Sequence, residues 1–220
     1  MGVAEIGKPY YTACADVCQT GCAINDHKPD GCSTYECAWR FGFVGTGIET
    51  RPDKLGLMAV KDALLAEYDH EMGTTRKLLE RIPDNRLAWK PHKKSMALGE
   101  LASHLGNIPT WGGTILNDSS FDLAAAPPNL APKPSRAEIL ALFDASTKQT
   151  RTLMDKSDAE YMAPWSLTRG GQAMFTLPRI AAFRSFVLNH TIHHRGQLSV
   201  YLRLNEIPVP AIYGPSADEG

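Results

Sequence analysis

The sequence predicts an all-α protein: a four-helix bundle with a long crossover loop, preceded by an irregular N-terminal segment. Three observations predict it. Four segments after Met58 repeat apolar residues at spacings of three and four, the period of an amphipathic helix. Prolines and cap residues punctuate these segments. No strand-like alternation competes with them. Four amphipathic helices can bury their apolar stripes only against one another, which is the bundle arrangement.

The first helix is read from about Met58 to Ile82, with Leu64, Leu65, Tyr68, Met72, Thr75, Leu79 and Ile82 on one stripe. Pro83 ends it, because proline cannot continue the hydrogen-bond ladder. The second is read from about Ser95 to Asn117, with Ala97, Leu101, His104, Ile108, Trp111 and Ile115 facing inward. Pro109 lies inside it and is expected to kink it, since the Leu105 carbonyl loses its amide donor. A proline-rich loop, Asp118 to Pro134, follows. The third helix opens on a capping box, Ser135-Arg136-Ala137-Glu138. Ile139, Leu142, Phe143, Ser146, Thr150 and Leu153 mark its inner face. A second loop, about Asp158 to Leu177, contains Gly170-Gly171, read as a turn. The fourth helix starts with Pro178, a favoured first-turn residue, and runs to about Asn205, before Ile207-Pro208.

The 220 residues are 43% apolar and 21% charged, with a formal net charge of −1. A charge so close to zero gives no electrostatic reason to expect a nucleic acid partner. No run of about 18 apolar residues offers a membrane span. Met1 to Asn25 lacks the basic start and apolar block of a secretory signal. The expectation is a soluble, cytoplasmic protein.

All five cysteines, Cys14, Cys18, Cys22, Cys32 and Cys37, precede residue 38. An odd number gathered at one end is not a disulfide scaffold. Residues 1–57 are therefore read as a separate Cys-containing segment, and residues 58–220 as the bundle. Cys14, Cys18 and Cys22 would share a face if helical, with His27 nearby, and thiolates and imidazoles are good zinc or iron–sulfur ligands. The spacing lacks a C-x-x-C knuckle, so the plainer expectation is a disordered tail or sequence upstream of a true start at Met58.

Three histidines stand where leucines belong. With His190 at 0° and about 100° per residue, His194 falls near 40°, Val187 near 60° and Leu198 near 80°. His190 and His194 thus interrupt the buried stripe of the fourth helix, one turn apart. His104 interrupts the second helix in the same way, between Leu101 and Ile108. Buried imidazoles need partners. One divalent metal ion shared by His104, His190 and His194 would satisfy all three and leave a position open for chemistry. His193 lies off this centre and is read as lining the pocket or an interface. His70 falls on the far face of the first helix, and His92 in a loop. Arg195 points away from the histidine pair and is assigned to a salt bridge or a dimer contact. Trp111 and Phe183 are read as core packing. Thr191 follows His190 where a metalloprotease of the H-E-x-x-H type has its glutamate, so that base is missing. No nucleophile elbow, Walker loop or dinucleotide fingerprint occurs.

The stretch Asn189-His190-Thr191-Ile192-His193-His194-Arg195-Gly196-Gln197-Leu198, with Leu101-Ala102-Ser103-His104-Leu105, resembles the DinB/YfiT-like superfamily of metal-dependent enzymes. Glu67-Tyr68-Asp69-His70-Glu71 and Trp89-Lys90-Pro91 extend the likeness over most of 58–220. The resemblance implies a four-helix bundle whose histidine triad, here His104, His190 and His194, binds zinc or nickel. It also implies a transferase or isomerase working with a low-molecular-weight thiol, and a homodimer. Two functions are expected from this. One is an enzyme in which the metal activates water or an external thiol against a small electrophile. The other is a non-catalytic, stress-related bundle that binds metal or a ligand.

Overall fold

The computed structural model describes residues 60–126 and 131–219 in full, and the backbone of 17–18 and 21–22. The chain divides into two units, Met1–Ala59 and Val60–Gly220. In the first, strand β1 (Val17–Cys18) pairs antiparallel with β2 (Gly21–Cys22), setting Val17 opposite Cys22 and Cys18 opposite Gly21. Cys18 and Cys22 therefore lie on two strands, not on one helical face. The readings of Cys14, His27, Cys32 and Cys37, and of 1–57 as a disordered tail or mis-assigned start, fall outside the described residues.

In the second unit, α1 (Val60–Leu79) buries Leu64, Tyr68, Met72, Thr75 and Leu79, the stripe read from the sequence. Ile82, the last buried residue before Pro83, closes that turn. The second predicted helix is two, α2 (Leu98–Asn107) and α3 (Thr110–Asn117), broken at Pro109. The break is closed by short-range bonds: Trp111 N–H donates to the Ile108 carbonyl (3.1 Å) and Gly112 N–H to the Pro109 carbonyl (2.9 Å). Helix α4 (Arg136–Leu153) completes it. Its Ser146 hydroxyl donates to the Gly106 carbonyl (2.7 Å) and its Thr150 hydroxyl to the Pro109 carbonyl (2.6 Å). Two hydroxyls one turn apart on α4 thus hold the kink.

Gly112 allows that approach. A Cβ there would stand 2.5 Å from Thr150 Cγ2 and 2.9 Å from Phe183 Cε2, well inside van der Waals contact. At neighbouring Gly113 a Cβ would meet Leu153 Cδ1 at an ordinary 3.5 Å. Gly112→Ala is expected to destabilise by about 1–3 kcal/mol through overpacking. Gly113→Ala is expected to stabilise by up to about 1 kcal/mol through helix propensity. Urea midpoints of the pair check this; equal midpoints would show that the kink has room to spare.

At the start of α4 the Ser135 hydroxyl accepts from the Glu138 N–H (3.2 Å). Only this half of the expected capping box forms. A reciprocal box occurs at the next helix, α5 (Asp158–Met162), where Ser157 Oγ accepts from Glu160 N–H (3.3 Å) and Glu160 accepts from Ser157 N–H (2.8 Å). The fourth predicted helix is composite: α6 (Arg179–Phe183), a π-helical turn Arg184–Leu188, and α7 (Asn189–Leu204). Helix α1 packs on α4 and α7, and α2 packs on the same two, so the helical segments close around one core. No helix among the described residues is long and apolar enough to cross a membrane.

The all-α expectation needs correction. The two predicted loops build a three-stranded sheet in which β3 (Ser120–Asp122) runs parallel to β4 (Pro164–Arg169), and β4 pairs antiparallel with β5 (Gln172–Pro178). Gly170 (φ 58°) and Gly171 (φ 79°) form the hairpin turn, in the left-handed region that glycine tolerates. The Asp122 carboxylate accepts from the backbone N–H groups of Gly170 (2.9 Å), Gly171 (2.8 Å) and Ala124 (2.8 Å). Those bonds hold its carboxyl below the usual range. Pairing passes from Leu167–Phe175 to Thr168–Ala173, leaving Met174 as a bulge residue without a partner. The bulge interrupts the alternation that marks a strand in sequence.

Candidate metal centre

The break at Pro109 and the composite fourth helix set the site. Helix α2 delivers His104 just before the break, and α3 brings Trp111 back against it. The Trp111 ring meets His104 edge-on (centroids 5.6 Å) and His190 likewise (5.1 Å). Trp111, expected as core packing, is a half-buried wall of the histidine cluster. Phe183, by contrast, is fully buried against Tyr68 (5.9 Å), as read.

The three predicted histidines come together. His190 Nε2 lies 3.0 Å from His104 Nε2 and 2.8 Å from His194 Nε2. One nitrogen from each of the three rings falls within 4.8 Å of the other two. All three residues are half-buried. Burial, with His194 nearby, lowers His104 to about 4. Burial, followed by the neighbouring imidazoles of His194, His104 and His193, lowers His190 to about 4. Burial also lowers His194, opposed by its hydrogen bond to Gln197. Near pH 7 the site therefore presents neutral imidazoles.

This donor set fits a divalent ion. His194 Nδ1 lies 2.8 Å from Gln197 Oε1, a carbonyl that only accepts, so the proton sits on Nδ1 and Nε2 carries a lone pair. A single N–H on His190 cannot serve both neighbouring nitrogens well, whereas one cation satisfies all three lone pairs. Tetrahedral ligands at a zinc–nitrogen distance of about 2.0–2.1 Å stand about 3.3 Å apart, within a few tenths of an ångström of the two separations at His190 Nε2.

The other histidines lie apart. His193 is exposed and accepts from the Gln197 amide (3.1 Å). His70, on the far face of α1, stacks on Tyr213 (6.4 Å). His92 is an exposed loop residue whose Nδ1 accepts from Lys94 N–H (3.2 Å). Of the two roles expected for Arg195, the structure shows the salt bridge: its guanidinium is 2.7 Å from Glu71 on α1, with side chains 1% and 7% exposed. Gln197, which bridges the His194 and His193 rings, is the neighbour of the cluster that periodicity missed. Its signal was its place, three residues after His194 and four after His193.

A model of the DinB family matches residues 58–220. The chain belongs to the DinB family. It is 29% identical over 161 residues to the uncharacterized protein YrdA of Bacillus subtilis (strain 168), covering 72% of this chain and 90% of that one. Its fold is similar to a DinB-like protein from Bacillus cereus ATCC 10987, with TM-score 0.55 and 19% identity over 70% of this chain and 98% of the other. A DinB-like protein from Bacillus subtilis, YjoA, is similar at TM-score 0.53 and 17% identity, over 71% and 98%. The DinB assignment covers the whole histidine cluster of this chain and stops short of its cysteines.

Proposed function

We propose that this DinB protein is a four-helix-bundle enzyme that uses a divalent ion, zinc or nickel, on His104, His190 and His194 to activate a small nucleophile against a small electrophile. The observation that carries the reading is the convergence of three neutral imidazole nitrogens on one point. Bound there, the ion supplies Lewis acidity, lowering the pKa of a water or thiol brought to it. The rest falls to the chain. Burial keeps His104 and His190 unprotonated, so their lone pairs are ready at neutral pH. Trp111 closes one side of the cluster and limits water there. With no cysteine after Cys37, residues 58–220 hold no thiol of their own; that a transferred thiol is a low-molecular-weight compound is what the family resemblance implies. The homodimer that the family resemblance implies, and the cytoplasmic location expected from the sequence, belong to the same reading.

One observation favours the second reading, a non-catalytic metal- or ligand-binding module. Among the described residues, the cluster holds imidazoles and no carboxylate that could shuttle protons. Zinc- and nickel-loaded protein, incubated with small thiols and electrophiles, is expected to consume both reactants in equal amounts. Metal-dependent stability without turnover across the panel would decide for the binding module.

A further inference from the structure

We propose that Gln197 is a positioning residue that selects the tautomer of His194, aiming its Nε2 lone pair at the point the three imidazoles share. The geometry stands alone; its consequence for affinity rests on the metal reading. On α7, residue 197 follows His194 by three positions and His193 by four, both separations that bring side chains together on a helix. The Gln197 side chain bridges the two rings. Its Oε1 lies 2.8 Å from His194 Nδ1, and its Nε2 lies 3.1 Å from His193 Nε2.

An amide has an accepting end and a donating end, so its orientation dictates the protons of the rings it meets. With the oxygen toward His194, Nδ1 must carry hydrogen. A neutral imidazole has only one N–H, so Nε2 is left bare. The opposite orientation would place the NH₂ against Nδ1 and force the proton onto Nε2. An N–H would then point at His190 Nε2, 2.8 Å away, and His194 could no longer donate to a metal. His193 secures the productive orientation, because its Nε2 accepts from the amide. Gln197 is exposed and outside the core, so its bond to His194 matters to the proton's position far more than to the fold.

The test compares wild type, Gln197→Ala and Gln197→Glu as full-length protein, with two readouts. Long-range proton–nitrogen NMR of the metal-free protein reports the His194 tautomer, and competition titration with zinc reports affinity. Wild-type His194 is expected to hold its proton on Nδ1. Gln197→Ala is expected to mix the tautomers and weaken zinc binding by about 10- to 100-fold. Gln197→Glu keeps an acceptor facing Nδ1 and is expected to return affinity to within a few-fold of wild type. Metal-free melting temperatures are expected to match across all three. An unchanged tautomer in Gln197→Ala, or unchanged zinc affinity where wild type binds zinc, overturns the proposal while leaving the metal reading intact. If wild type binds no zinc, the metal reading fails, and the tautomer shift alone decides the role of Gln197.

Discussion

Replacing His190 with alanine is expected to abolish retention of the divalent ion. His190 Nε2 lies within 3.0 Å of the Nε2 atoms of both other histidines, so its loss removes the nitrogen that meets both and leaves two imidazoles. Zinc-loaded wild type is expected to keep about one ion per chain through desalting, and His190→Ala none. The linked stability loss is measurable. A ligand at 100 times its Kd adds about 2.7 kcal/mol to the folded state. Zinc should therefore raise the melting temperature of wild type and leave that of His190→Ala unmoved. An equal zinc shift in both proteins would place the ion elsewhere.

The same histidines set a pH dependence in the metal-free protein. His104 and His190 sit at about 4 when folded, against an ordinary value of 6.5. Between these values the unfolded chain binds more protons than the folded one. Stability is then fully present above about pH 6.5 and falls as the pH drops toward 4. Zinc competes with those protons, so its binding weakens in the same direction.

Arg195→Ala is expected to destabilise the fold by about 3–5 kcal/mol, because it leaves a buried carboxylate without its cation. The guanidinium is 2.7 Å from Glu71 Oε2, and also donates to the Glu71 carbonyl (3.2 Å) and the Thr75 hydroxyl (3.3 Å). The Tyr213 hydroxyl donates to both Glu71 oxygens (2.8 and 2.9 Å), and Arg195 lies over its ring at 5.0 Å. Burial and the Glu71 carboxylate hold the Tyr213 phenol above its usual value. In Arg195→Ala only the tyrosine remains beside that charge. Removing both charges together, as Glu71→Leu with Arg195→Met, is expected to recover most of the loss, since no buried charge is stranded. Urea midpoints at unchanged slope measure both. A single variant as stable as wild type would show that water reaches Glu71. Arg195 follows His194 directly, so this pair also anchors the helix that carries His190 and His194 to α1.

Much of this was legible in the residues. Helix positions followed from a local period: Leu64, Tyr68, Met72 and Leu79 read as one stripe and are buried as one. Pro109 was legible as a break because a missing N–H is a property of that residue alone. The strands were not. Gly170-Gly171 between Trp165-Ser-Leu and Phe175-Thr-Leu was a hairpin signal, but the Met174 bulge scrambled its alternation and a three-residue parallel partner carries no period. The π turn escaped as well. It shifts the helical phase before His190, so angles reckoned across it drift, while those from His190 onward hold.

By itself the sequence determined which side chains could share a site: three imidazoles on core-facing stripes of two helices, with no cysteine beyond residue 37. That much depends on 3.6 residues per turn, a property of neighbours along the chain. Only the tertiary structure decided that His104 and His190, 86 residues apart, bring their nitrogens to 3.0 Å. It also decided that Trp111 walls them and that Arg195 finds Glu71. Those outcomes depend on how α2, α3 and α7 pack around a kink held by Ser146 and Thr150. Packing between distant segments is set by shape and by unsatisfied carbonyls, neither of which leaves a period in the sequence.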